Sequence, residues 1–201
     1  MEQFYPPSKS AVLWKVLQNK MPTNDNLGKI GILVVSMCSN CGNHLESVDH
    51  PLLQCHFALN VWNWLESLLN KRFDLSSVHN ALFVSLEKRS PQVSDMVLAA
   101  TTFAYFHIWN RRNKLRFENQ LLSLEYIANL ISVSVRLTGP FTTGSMRNSI
   151  SDFAFLKKFW VQSHPRKAEV IKSILWKTPS SPWIKSNTNG VARGNPGSAG
   201  S

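Results

Sequence analysis

MCSNCGNHLESVDHPLLQC, residues 37 to 55, contains every cysteine of the chain and spaces them Cys38-x2-Cys41-x8-His50-x4-Cys55. Thiolates and imidazole at this spacing are the donors of a zinc site. Gly42 follows the second cysteine and permits the tight backbone reversal that lets two sulfurs meet one ion. His50 and Cys55 reach the same ion if the residues between them form one helical turn or a compact loop. Four protein donors leave no open position, so the expected metal is structural, with Cys38, Cys41, His50 and Cys55 as ligands. His44, close to Cys41, and His56, beside Cys55, are the rival ligands. The ordinary alternative is three buried thiols acting as small hydrophobes. Clustering in one asparagine-rich loop argues against it.

Outward from this segment, 201 residues allow one ordinary domain or two small ones. With 43% hydrophobic and 17% charged residues the chain can bury a core. Lys and Arg number 22 against 12 Asp and Glu, a formal charge of +10 that favours a polyanionic partner, nucleic acid ahead of a membrane surface. Three cysteines make no closed disulfide set, and residues 1 to 9 have no leader-like pattern. The longest apolar stretch, Met96 to Trp109, is too short for a bilayer span of about 20 residues. These features read as a soluble intracellular protein, nuclear or cytoplasmic, with no membrane partner.

Helical periodicity accounts for most of the rest. A helix is expected from Ser8, as N-cap, to a stop at Pro22, and a short one from Thr23 to Gly31. Phe57 to Leu69 and Leu124 to Leu137 have amphipathic spacing, the latter ended by Gly139-Pro140. The strongest helix runs from about Val93 to Glu118. Its first half is apolar on nearly every face and should be enclosed, although the same face leaves open a helix-mediated homo-oligomer. Asn148 to Gln162 reads as a further helix or an irregular aromatic segment. Residues 164–182 have a basic linker's composition, and 183 to 189 suit one strand.

The combination of Trp14, Met21-Pro22-Thr23-Asn24-Asp25-Asn26-Leu27, Gly31-Ile32, Cys38-Ser39-Asn40-Cys41-Gly42, Glu46-Ser47, His50, Cys55 and Val61-Trp62 resembles the zinc-binding domain of plant non-LTR retrotransposon reverse transcriptases. Ile108-Trp109-Asn110-Arg111-Arg112-Asn113 is similar to an element that often follows it. Further on, Trp176-Lys177, Trp183-Ile184-Lys185, Asn187-Thr188-Asn189-Gly190 and the glycine-rich run to Ser201 are similar to the opening of a plant RNase H-like domain. In that family the position of Asn189 is an Asp, the first of the carboxylates that hold two Mg ions. A neutral amide there implies that Mg does not bind and that no catalytic residue remains. The chain also reaches Ser201 before any later acid of that fold, so a truncated start is expected.

The resulting expectation is a mostly α protein: a helical zinc-binding domain over 8–70, a helical region over 71–163, a basic linker over 164–182, and a short incomplete RNase H-like β segment over 183–201. Arg111, Arg112, Lys114 and Arg116 at the end of the long helix, with Lys157 and Lys158 further on, are the candidate contacts to RNA or DNA phosphates. Arg112 and Arg116, four apart, share a face. Alternatively these cations only complement the helix dipole. No phosphate-binding glycine loop, nucleophile elbow or paired-carboxylate site is present. The expected function is a catalytically inactive, zinc-binding, nucleic-acid-binding fragment of a retroelement. Its rivals are a degenerate RNase H-type nuclease and a metal-free helical interaction module.

Overall fold

The computed structural model describes residues 7–32, 37–83, 89–167, 180–184, 191–192 and 199–200. The chain divides into two compact units, Met1–Arg166 and Lys167–Ser201. The first is built from α1 (Pro7–Leu17), α2 (Asn24–Lys29), α3 (His56–Leu69), α4 (Val78–Phe83), α5 (Pro91–Glu118), α6 (Leu124–Thr138) and α7 (Ile150–Lys158), with a single π turn at His50–Gln54. The segments 8–70 and 71–163 share one core within it, because α3 packs on both α5 and α6.

α5 is the axis. It packs against α1, α3, α4, α6, α7 and the π turn, which explains why it carries apolar residues all round: Val93, Val97, Ala100, Phe103 and Ile108 on one face and Ala99, Tyr105 and Trp109 on the others are all buried. Thr101 and Thr102 are buried as well, and their hydroxyls donate to the carbonyls of Val97 (2.9 Å) and Leu98 (2.8 Å) one turn back. The helix starts with Pro91 in its first turn after an extended Ser90, and stops where Asn119 takes a left-handed conformation.

Helix ends depart from expectation where asparagine replaces proline as the breaker. α1 stops at Leu17, well before Pro22, because Asn19 turns left-handed (φ 52°) and the Lys20 N–H closes on the Lys15 carbonyl at 2.7 Å. Ser8 lies inside its first turn and is not the cap. α7 covers only the middle of Asn148 to Gln162, since Trp160 adopts φ 55°. That reversal turns Phe159 inward and leaves Trp160 79% exposed. α4 has no counterpart among the expected helices.

Gln92 fastens the chain after α6 to the head of α5. Its Nε2 donates to the Gln162 carbonyl at 2.8 Å and its Oε1 accepts the His164 N–H at 2.8 Å. Gly144 permits this approach, because a Cβ there would lie 2.7 Å from Pro91 Cβ and 2.8 Å from the Gln92 nitrogen.

In the second unit, Val191–Ala192 pairs antiparallel with Ala199–Gly200. Of the strand expected over 183 to 189, only Trp183 and Ile184 are described. They are not in a strand: they follow a turn closed by the Trp183 N–H on the Ser180 carbonyl at 3.0 Å. Asn189 lies outside the described residues. No helix among the described residues is long and apolar enough to cross a membrane.

His107 is buried on α5, its Nε2 3.4 Å from Ser134 Oγ on α6, and Lys9 Nζ lies 3.3 Å from the same hydroxyl. Burial, and secondarily the Lys9 charge, push its pKa from 6.5 down to about 4. The unfolded chain therefore takes up a proton near pH 6.5 that the folded chain refuses until about pH 4. Stability should be fully present above pH 6.5 and fall by about 3 kcal/mol as pH drops from 6.5 to 4. Urea titrations of wild type and His107→Leu across this range should differ by that amount, with the flatter profile belonging to the variant.

Candidate metal centre

The cysteine segment folds on its own hydrogen bonds. Met37 and Leu45 form an isolated antiparallel bridge, and the Cys38 N–H donates to the His44 carbonyl at 2.7 Å. Inside this loop the N–H groups of Cys41 (3.3 Å) and Gly42 (2.8 Å) both return to the Cys38 carbonyl, and Gly42 takes the left-handed φ of 69° that such a reversal requires. The second pair of donors is set by the π turn. Ser47 Oγ accepts the His50 N–H at 3.2 Å, and the Cys55 N–H reaches the His50 carbonyl at 2.6 Å. A π turn spans the five-residue step from His50 to Cys55, returning both side chains to one side.

The outcome is a four-donor group. One ligand atom from each of Cys38, Cys41, His50 and Cys55 lies within 4.8 Å of all the others. Cys38 and Cys55 sulfurs are 3.9 Å apart, and Cys41 Sγ is 3.2 Å from His50 Nε2. A tetrahedral zinc with ordinary bond lengths has sulfur–sulfur edges of about 3.8 Å and sulfur–nitrogen edges of about 3.6 Å. The residues present therefore fit zinc in donor type, number and separation. The rival histidines fall outside the group. His44 is exposed, its Nδ1 3.9 Å from Cys41 Sγ and its ring 4.9 Å from that of His50, while His56 is exposed in the first turn of α3.

The donors differ in their electrostatics. The mutual hydrogen bond, followed by burial, pushes the Cys38 thiol far up, whereas the same bond holds Cys55 below its ordinary value. Burial, and then the neighbouring His44, lower His50, which keeps the imidazole neutral and able to ligate. Cys55 is also the N-cap of α3, at the positive end of that helix. Trp62, fully buried, donates from Nε1 to the Leu52 carbonyl at 2.8 Å and so pins the π turn to the core.

Behind the donors stand the arginines of α5. Arg111 and Arg112 are 6% and 2% exposed. Expected as phosphate contacts, both guanidinium groups are enclosed and engaged within the chain. Arg111 lies 3.6 Å over the Phe57 ring, donates from Nε to the Leu122 carbonyl at 2.8 Å, and reaches Asn40 Oδ1 within the knuckle. Arg112 grips the fully buried carboxylate of Glu46 with two hydrogen bonds, one from Nε at 3.1 Å and one from Nη2. Arg116 adds a second cation to the same carboxylate at 3.5 Å and bonds Asn24 Oδ1 at 3.1 Å. The shared face of Arg112 and Arg116 thus holds the metal loop. Lys114 pairs with Glu118 at 2.7 Å, Lys157 is exposed, and Lys158 Nζ donates to the Leu68 carbonyl at 2.8 Å.

Glu46 is the functional residue that received no role from the sequence. Its partner is 66 residues away, and no local spacing announces it. Glu46→Gln should leave Arg112 buried without its counter-charge and cost about 3–5 kcal/mol, read as a lowered urea midpoint of the zinc-loaded protein. Arg112→Lys should recover little of the loss from Arg112→Ala, since an ammonium cannot make the two-pronged contact.

Residues 2–62 match the model of a family described as zinc-binding in reverse transcriptase, and that span contains all four donors. No curated protein and no solved structure matches the chain.

Proposed function

We propose that the chain is a retroelement-derived module in which one structural zinc, held by Cys38, Cys41, His50 and Cys55, shapes a surface for non-specific binding of RNA or DNA. The observation that carries this reading is the convergence of three thiols and one imidazole within 4.8 Å, inside the segment matched to a zinc-binding family. Zinc would supply no reaction step: with four protein donors it fixes the loop between α2 and α3 and ties the knuckle to the π turn. The charge of +10 supports a polyanionic partner, and Lys157 remains exposed for it.

The C-terminal resemblance to a plant RNase H-like opening belongs to the same proposal and rests on residues 176 to 200 of the sequence. Asn189 in place of an Asp supports an inactive remnant that takes no Mg.

Purified without added metal, the protein should contain one zinc per chain, and Cys38→Ser or His50→Ala should abolish that content together with the helical circular dichroism of the N-terminal part. Folded, metal-free wild type would favour a helical interaction module instead. Binding to nucleic acid should appear at low salt and weaken steeply as salt rises. Affinity that ignores salt contradicts the electrostatic reading, and Mg-dependent cleavage of an RNA–DNA hybrid contradicts the inactive one.

A further inference from the structure

A cleft of ≈580 Å³ lies between the end of α3, the head of α5 and the first turns of α7. Arg89, Arg147 and Lys158 converge on it, with Asp152 as the one carboxylate in its lining. That carboxylate is already engaged, Oδ2 accepting the Arg147 N–H at 3.0 Å. Among the described residues, no carboxylate lies within ion-pair distance of any of these three cations. The Arg89 charge is felt nearby: Lys71, on the chain just past α3, is pushed down by burial and then by Arg89.

Donors are plentiful as well. Lys158 spends one ammonium proton on the Leu68 carbonyl and keeps two. Ser149 and Ser151 line the same wall, and the Arg89 guanidinium sits 5.8 Å from the Phe155 ring. Three cations against the single carboxylate of Asp152, whose charge acts on Arg89, leave the cleft net positive and select an anion with several oxygens. Two residues past α7, Trp160 stands 79% exposed in its left-handed turn, an aromatic face for an unpaired base.

We propose that this cleft is a backbone-phosphate site for single-stranded nucleic acid, with Arg89, Arg147 and Lys158 supplying the charge. It rests on the nucleic-acid-binding reading and gives that reading a place. With Arg111 and Arg112 enclosed at the metal loop, the cations that meet phosphate are those around α7.

The test is fluorescence anisotropy of the full zinc-loaded chain with a labelled single-stranded DNA and an RNA of the same sequence, across a salt series. An Arg89→Glu/Arg147→Glu variant should bind more weakly, and the slope of log affinity against log salt should become shallower by about 0.7 per lost phosphate contact. Lys158→Gln, a milder change, should remove one such contact. Trp160→Ala should weaken binding with the slope unchanged. Lys15→Glu, an exposed control on α1, should leave the slope at the wild-type value. Retained zinc and circular dichroism verify that each variant is folded. Wild-type binding with equal slopes in the cleft variants and the control overturns this site but not the nucleic-acid reading. Failure of the wild type to bind either strand overturns both.

Discussion

Two arginines of α5 close on one buried carboxylate, and through that contact the metal loop becomes part of the core. Glu46 is fully enclosed between Arg112 and Arg116. It ties the segment that follows the knuckle at Cys38 to Gly42 to the long helix. A buried carboxylate with two buried or half-buried cations is expensive to desolvate, so its value lies in fixing one arrangement more than in raw stability. Arg111 works beside it, reaching Asn40 in the knuckle and Phe57 at the head of α3. Three thiolates and a neutral imidazole around a dication leave one negative charge, and a guanidinium close by is its natural complement.

This arrangement redistributes the charge of the chain. A net +10 suggests a surface coated in cations, yet two of the six that the sequence offers as phosphate contacts are spent inside. The basic end of α5 is a structural clamp, and exposed cations remain elsewhere, among them Lys15 on α1, Lys29 on α2, Arg72 after α3, Arg136 on α6 and Lys157 and Lys158 on α7. A basic run at a helix end is an ambiguous signal for this reason: helix spacing reveals which cations share a face, but not whether that face looks at solvent or at a carboxylate elsewhere in the chain.

What was legible in the sequence is what is local. The four donors lie within 18 residues, and a turn with Gly42 at one end and a five-residue step at the other leaves little freedom in how they meet. The enclosure of α5 was legible too, because no helix with Val97, Ala99, Phe103, Tyr105 and Trp109 on different faces can stand in water. The ends of α1 and α7 were not, since Asn19 and Trp160 reverse the chain where proline and composition suggested otherwise. For Glu46, itself part of the quoted family motif, and for Gln92, the partners were hidden for a different reason. Each is a single polar residue whose partners, 66 and about 70 positions away, become neighbours only after folding. α4, six residues long, is too short for periodicity to declare itself.

X-ray absorption at the zinc edge reads the central assignment directly. A metal shell of three sulfurs near 2.3 Å and one nitrogen near 2.0–2.1 Å would match Cys38, Cys41, Cys55 and His50. A shell of two sulfurs with two nitrogens, or one dominated by oxygen, would contradict that ligand set and the fold that depends on it.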